Sequence, residues 1–382
     1  AAVAATEPAV LIHTINANQW SPNSPDPMGL GYISSIGRLL ESDSEVEEMP
    51  NYFTGKNMFY STVGGSLTGT ASVTNFSNEP TGVAFNAANG HIFISDDDAD
   101  DVFEIAAGPD GNYFTSDDVR TRFDTRAISN MDAEGVAFDS TQGHLYIADG
   151  LNSEVWRITP GNNGRFDGPP PAGDDVATHF DSSSLGVSDP EGIEYNPNNG
   201  HLYLVGHGSP VVEMTTSGSV IRSIDVSAFV VAGSGLAMAP SSVNSSVNAL
   251  YISDRGEDND GDPNENDGKI HEISLGDGPV GPTNTPTNTP NVPPTNTPTS
   301  TPTPIPSNAN FFLSLASNGT AGGVTASDED ILRFNQGLFT IAFDGSDVGI
   351  SGDIDAFTFL DSDTILFSLE ATTTVGALGS VD

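Results

Sequence analysis

Carboxylates at two recurring positions are the residues of this chain best suited to chemistry. Glu134 and Glu191 each stand one residue before a glycine, in "AEGVAF" and "PEGIEY". Asp43, Asp96, Asp149 and Asp254 each close a short apolar run, "LLESD", "IFISD", "LYIAD" and "LYISD", and in the related run "LYLVG" Gly206 takes that place. Carboxylates gathered at one point repel unless a cation neutralises them, and hard oxygen donors suit Ca²⁺. The competing use of each aspartate is local, as acceptor for the backbone of its own turn.

A second set of acids lies in segments that read as loops. "DGNYFTSDD" (110–118) brings Asp110, Asn112, Asp117 and Asp118 into one tight connection, and "NNGRFDGPPPAGDD" (162–175), with Asp174 and Asp175, is its looser counterpart. "DNDGDPNEND" (258–267) alternates Asp258, Asp260 and Asp262 around Gly261. Alternate acidic side chains in a turn point to one side and leave carbonyls free, which is how calcium loops are assembled. None of the three completes the twelve-residue EF-hand pattern, because its final glutamate is absent. The cofactor expected from both sets is Ca²⁺.

Among the histidines, His91, His144 and His201 each follow a glycine at one repeated position and read as scaffold. His207, in "VGHGSP", follows the glycine that replaces the recurring aspartate, and it is the one histidine kept as a catalytic candidate. There is no G-x-S-x-G pentad, no P-loop and no dinucleotide fingerprint, and with no cysteine in the chain thiol catalysis is excluded.

The elements that must position these residues are repeats. Gly29, Gly82, Gly135, Gly192 and Gly235 open five units, at spacings of 53, 53, 57 and 43 residues. Within a unit a short apolar strand ("GVAF") is followed by a turn ("AANG"), an alternating strand ("HIFISD"), a third strand ("DVFEIAAG") and a fourth ("VRTRFDT"). Four short strands per repeat with turn signals between them are the signature of propeller blades. The fifth unit has three strands, and "AVLIHTIN" (9–16) matches the fourth-strand segments in character. The expected fold is therefore all-β: a five-bladed propeller closed by its own N-terminal strand, with a sixth blade hidden in 30–80 as the alternative.

These units resemble those of calcium-dependent bacterial propellers, a group that takes in NHL-type repeats, the lactonases and gluconolactonases, and the esterase-like and phytase-like propellers. The resemblance covers roughly residues 9–276. In the lactonase-like members, acidic side chains at the rim that Glu134, Glu191 and the four aspartates occupy hold a metal, so the resemblance implies an axial metal here. A phytase-like site would also need several cations around phosphate; Arg38, Arg157 and Arg255 are scattered over different units and the only lysines are Lys56 and Lys269.

Three segments follow from composition: the propeller (1–278), a linker (279–307) and a C-terminal β-rich domain (308–382). In the linker, prolines at every fourth position from Pro286 to Pro306 rule out helix and sheet and favour extended polyproline II, about 90 Å at about 3.1 Å per residue. Its threonines, Thr283, Thr285, Thr287, Thr289, Thr295, Thr297, Thr299, Thr301 and Thr303, are candidates for O-glycosylation. In the C-terminal domain "FFLSLASNGTAGGVTASD" (311–328) aligns without gaps on "ILFSLEATTTVGALGSVD" (365–382).

Of the 382 residues, 52 are acidic and 11 basic, a formal charge of −41 that repels nucleic acid and anionic membrane and favours divalent cations as partners. No apolar run reaches the length of a membrane span. The start "AAVAATEP" reads like the residue of signal-peptide cleavage, which places the protein outside the cell or on its surface. Together these features suggest a calcium-stabilised structural or adhesive protein, a repeating subunit of a homo-oligomer or filament that also meets glycans. The alternatives are a calcium-dependent esterase, lactonase or phosphohydrolase acting at the axial rim, and a glycan-binding module.

Overall fold

The computed structural model describes residues 6–275 apart from 258 and 260, and, further on, 310–314, 319–321, 324–335, 338–346, 350, 354–359, 365–369, 373–375 and 379–381. The chain forms two compact units, Ala1–Thr285 and Pro286–Asp382, divided inside the proline-rich segment.

The first unit is a propeller of five four-stranded antiparallel blades. Two N-terminal strands, β1 (Thr6–Pro8) and β2 (Val10–Ile15), precede blade one: β3 (Pro27–Ile33), β4 (Arg38–Asp43), β5 (Met58–Ser61) and β6 (Leu67–Ala71). Blade two is β7 (Pro80–Asn86), β8 (His91–Asp96), β9 (Asp101–Ala106) and β10 (Val119–Asp124). Blade three is β11 (Ala133–Asp139), β12 (His144–Asp149), β13 (Glu154–Thr159) and β14 (Val176–Asp181). Blade four is β15 (Pro190–Asn196), β16 (His201–Gly206), β17 (Val211–Thr215) and β18 (Val220–Asp225). Blade five supplies β19 (Gly233–Pro240), β20 (Asn248–Asp254) and β21 (Lys269–Ser274).

The fourth strand of blade five is β2, antiparallel to β21 with Ile15 opposite Ile270 and Thr14 opposite His271. The N-terminal closure expected from the three-stranded fifth repeat is thus present. The six-bladed alternative is not: residues 30–80 hold only the remainder of blade one, because its long β4–β5 connection is loop and not a further sheet. One feature escaped the repeat pattern. Strand β1 runs parallel to β18, Glu7 opposite Ile224, so the N-terminal segment covers the outer edge of blade four before closing blade five.

Five apolar clusters fill the five gaps between neighbouring blades. Ile33 and Leu40 pack with Ile92 and Phe103, Phe93 with Leu145 and Trp156, Tyr146 with Leu202 and Val212, Val205 with Leu250 and Ile252, and Ile15 with Leu39 and Tyr251. The second strands supply the bulk: Phe93, Tyr146, Tyr203 and Tyr251 sit three residues before the rim position in four blades and are fully buried.

The recurring glycines form the axis. A β-carbon on Gly82 would stand 2.7 Å from Val136 N, one on Gly135 2.5 Å from Glu191 O, and one on Gly192 2.5 Å from Ser234 O. Gly29 presses on Gly82 and Gly235 on Met28 in the same way, completing the ring. Only a residue without a side chain fits five innermost strands this closely. Part of the repetition is therefore scaffold.

In the second unit β22 (Asn310–Ser314), β25 (Ile331–Asn335) and β26 (Leu338–Phe343) form one sheet in the order β22-β25-β26. Hairpins β23 (Gly319–Ala321) with β24 (Val324–Ala326), and β29 (Thr373–Val375) with β30 (Gly379–Val381), fall at matching places in the two copies of the sequence repeat. Strands β27 (Ile354–Phe359) and β28 (Ile365–Leu369) pair with each other. The candidate glycosylation threonines lie outside the described residues.

Candidate functional site: an acidic axial rim

Each innermost strand carries a register shift beside its axial glycine: between Pro27 and Leu30, Pro80 and Gly82, Ala133 and Val136, Pro190 and Gly192, and Gly233 and Leu236. A bulge takes one residue out of the ladder and re-aims it. The residues so placed are Met28, Thr81, Glu134, Glu191 and Ser234. Hydroxyls of adjacent blades bind the backbone freed by the shift: Thr81 Oγ1 donates to Ala133 O at 2.7 Å, Ser253 Oγ to Met28 O at 2.6 Å, Ser234 Oγ to Pro27 O at 2.7 Å, and Ser95 Oγ to Glu134 O. The rim is therefore stitched blade to blade.

Glu134 and Glu191 belong to two separate groups. Carboxylate oxygens of Asp97, Asp132 and Glu134 lie within 4.8 Å of one another, as do ligand atoms of Asp189, Glu191 and His207. His207 Nδ1 is 4.0 Å from Glu191 Oε1. Glu134 is 8% exposed and its Oε2 is buried with no hydrogen-bond partner. Arg255, nearly buried, supplies positive charge: its Nη1 is 3.9 Å from Glu45 Oε1, and its field reaches Asp26, Glu134 and Glu191.

One arginine does not balance this many acids. Burial, then the Glu191 charge, pushes Glu134 well above the usual carboxylate range. Burial, a hydrogen bond with Asp132 and the Asp132 charge push Asp97 up to about 8. Burial raises Glu191 to about 7 against the opposing pull of Arg255. Asp26 rises to about 9, first by burial and then through Asp43 and Glu265, and both of its carboxylate oxygens are buried without a partner. Such a site holds protons or a cation at neutral pH. The all-carboxylate group around Glu134 has the donor chemistry of a hard divalent cation such as Ca²⁺, while the group around Glu191 adds one imidazole.

The four recurring aspartates are not drawn together. Asp43 Oδ1 accepts from Val46 N at 2.9 Å, Asp96 Oδ1 from Ala99 N at 2.6 Å and Asp149 Oδ1 from Asn152 N at 3.0 Å, each within its own turn. Asp254 accepts from Ala232 N at 2.8 Å and from Gly256 N at 3.2 Å, and His271 Nε2 lies 3.3 Å from its Oδ2. Asp43, Asp96 and Asp149 serve the local use weighed against metal binding, Asp254 chiefly holds the segment before β19, and among the described residues none of the four joins a group of three potential ligands. Gly206 replaces the fifth because a β-carbon there would run into Asp189 O.

The loop acids divide as well. In blade two Asp118 accepts from Gly108 N (3.2 Å) and Thr115 N (3.0 Å), Asp117 from Thr115 Oγ1 (2.6 Å), and Asp110 from Asn112 N (2.8 Å), so the loop closes on its own donors. In blade three Asp174 and Asp175 are joined by Asp167, their oxygens within 4.8 Å of one another. Asp175 is still taken up by Gly161 N and Gly168 N. Asp262 is exposed and accepts from Asn264 N at 3.0 Å; Asp258 and Asp260 lie outside the described residues. Of the three histidines read as scaffold, His91 Nδ1 meets Glu104 at 2.6 Å and His201 Nδ1 meets Glu213 at 2.7 Å across adjacent strands.

Sequence reasoning missed Asp97, Asp132, Asp189 and Asp26. A signal was present. Asp26, Glu79, Asp132 and Asp189 each stand three residues before an axial glycine, in four blades of five, and at that distance along the strand they reach the same rim.

Residues 57–230 match the family model described as SdiA-regulated. The match runs from the third strand of blade one to the end of blade four and covers less than half of the chain. No curated protein matches the chain. Solved structures similar to it include the nidogen/laminin complex (16% identity, 60% of this chain and 72% of the other, TM-score 0.38). Others are a luciferin-regenerating enzyme (13%, 66% and 92%, 0.43) and the PQQ-bound aldose sugar dehydrogenase of Streptomyces coelicolor (14%, 69% and 97%, 0.39).

Proposed function

We propose that the propeller is a divalent-cation-dependent hydrolase of a small ester, lactone or phosphoester, acting at the axial rim. The observation that supports this best is Glu134, a nearly fully buried carboxylate with an unpartnered oxygen, grouped with Asp97 and Asp132. A bound cation at that group supplies Lewis-acid polarisation of a carbonyl or phosphoryl oxygen and lowers the pKa of water. Glu134, Asp132 and Asp97 hold and orient it. In this reading His207, 4.0 Å from Glu191, takes the proton of an attacking water, and Glu191 and Asp189 stabilise the imidazolium formed. Arg255 attracts the anionic product.

The decisive test is hydrolysis of p-nitrophenyl esters, aliphatic lactones and phosphoesters in millimolar Ca²⁺ and in EDTA. The expected result is cation-dependent turnover, abolished in Glu134→Gln and lowered about 100-fold or more in His207→Ala. Calcium binding with no turnover of any substrate would overturn the hydrolase reading and leave a calcium-stiffened scaffold. Of the fibre and glycan roles raised by the sequence, the first drew on the Thr/Pro segment, which lies outside the described residues, and no feature of the propeller favours either.

A further inference from the structure

At the opposite end of the axis from the acidic rim, the innermost strands line an open-mouthed cavity of about 250 Å³. Its walls include Tyr32, Phe85, Phe138, Tyr195 and Met238, one from each blade and each three residues beyond its axial glycine. Two residues beyond the same glycines stand Gly31, Ala84, Ala137 and Ala237 in blades one, two, three and five, and in blade four Glu194. Glu194 is the one charged residue in the cavity wall. Its Oε1 accepts from Tyr195 N at 2.9 Å, and the backbone of Met238 in blade five also binds the carboxylate, which fixes the side chain. Closing the axis does not itself require a carboxylate here, since the other four blades do so with glycine or alanine. A half-buried acid beside aromatic rings loses part of its hydration, which a bound cation would offset.

We propose that this cavity binds a small alkylammonium compound, a quaternary or protonated amine, with Glu194 as counter-ion and the aromatic faces of Tyr32, Phe85, Phe138 and Tyr195 around the cationic head group. Aromatic rings attract a desolvated cation through their quadrupoles, and a ring of them around one carboxylate discriminates an organic cation from a hydrated metal ion. The volume is below that of a drug-sized pocket and suits a head group of a few heavy atoms. Tyr32 and Tyr195 are the other titratable groups of the wall, and burial pushes Tyr195 upward. Burial also raises Glu194 to about 8, so it is largely neutral at pH 7 and releases its proton when an organic cation enters.

The experiment is titration calorimetry with choline, whose charge does not depend on pH, in about 0.15 M NaCl to screen the overall negative charge. Affinity should rise about tenfold from pH 7 to pH 9, as Glu194 passes from about one-tenth to about nine-tenths ionised. Glu194→Ala, which gives blade four the residue of blades two, three and five, should fold normally and lose at least tenfold in affinity at pH 9. Glu194→Gln should bind weakly with no pH dependence, and Glu134→Gln should bind choline like the native chain, separating this cavity from the rim. No binding at pH 9, or equal binding by the native chain and Glu194→Ala, overturns the proposal.

Discussion

Ser24 Oγ lies 2.7 Å from Glu41 Oε1, deep in blade one. The same hydroxyl lies 2.8 Å from Asp43 Oδ2, and one hydroxyl proton cannot serve two ionised carboxylates. Glu41 is fully buried, and burial followed by the Asp43 charge holds it well above its ordinary range. It is therefore the protonated partner: Glu41 donates to Ser24, and Ser24 donates to Asp43. The other four blades carry Ile94, Ile147, Leu204 and Ile252 at this place.

The sign of the resulting pH effect follows from the direction of the shift. A carboxyl whose folded value is raised stabilises fully below its unfolded value, near 4.5, and that contribution is lost as pH rises through the folded value. Asp43, raised to about 6 by burial, acts in the same direction. The thermal midpoint in EDTA should fall between pH 5 and pH 8, and Glu41→Gln should flatten the fall. A midpoint independent of pH would show that Glu41 carries no raised pKa.

Replacing Gly135 tests the axial ring. An added β-carbon meets backbone, Glu191 O at 2.5 Å and Ile193 N at 2.8 Å, and backbone cannot rotate away. Gly135→Ala should cost about 3 kcal/mol. Gly143→Ala, at φ +71° with open space around it, should cost about 1 kcal/mol from conformation alone. Denaturant unfolding of the two variants checks the contrast.

Calcium should stabilise the native state by mass action. At a concentration about 100 times Kd the gain is about 2.7 kcal/mol. Over a propeller of this size that corresponds to about 5–10 °C in Tm. Glu134→Gln should remove most of the difference between EDTA and calcium melts, because it takes away the buried, unpartnered oxygen at the rim.

Removal of residues 1–16 should leave β21 without its outer neighbour and expose Ile270 and Ile273, both fully buried in the closed ring. An aggregated or strand-swapped product is expected by size-exclusion chromatography. A soluble monomer with native Tm would show that β2 contributes little to closure.

The sequence by itself determined the repeat, the four-strand unit and the closing strand, because each is written in local pattern: glycine spacing, alternation and a last unit one strand short. It also marked Glu134 and Glu191, since a residue beside an axial glycine can only lie at the rim. What surrounds them was decided by tertiary structure. The register shift beside each glycine aims Glu134 at Asp132 and Asp97, residues from two blades, and it leaves the more regular aspartates, Asp43, Asp96 and Asp149, to cap their own turns. A recurring residue in a repeat protein serves the repeat. The acids that burial raises above the ordinary carboxylate range at Glu134, Glu191, Glu41 and Glu194 sit where the blades differ, because burial and neighbouring charge act through contacts that form only when the ring closes.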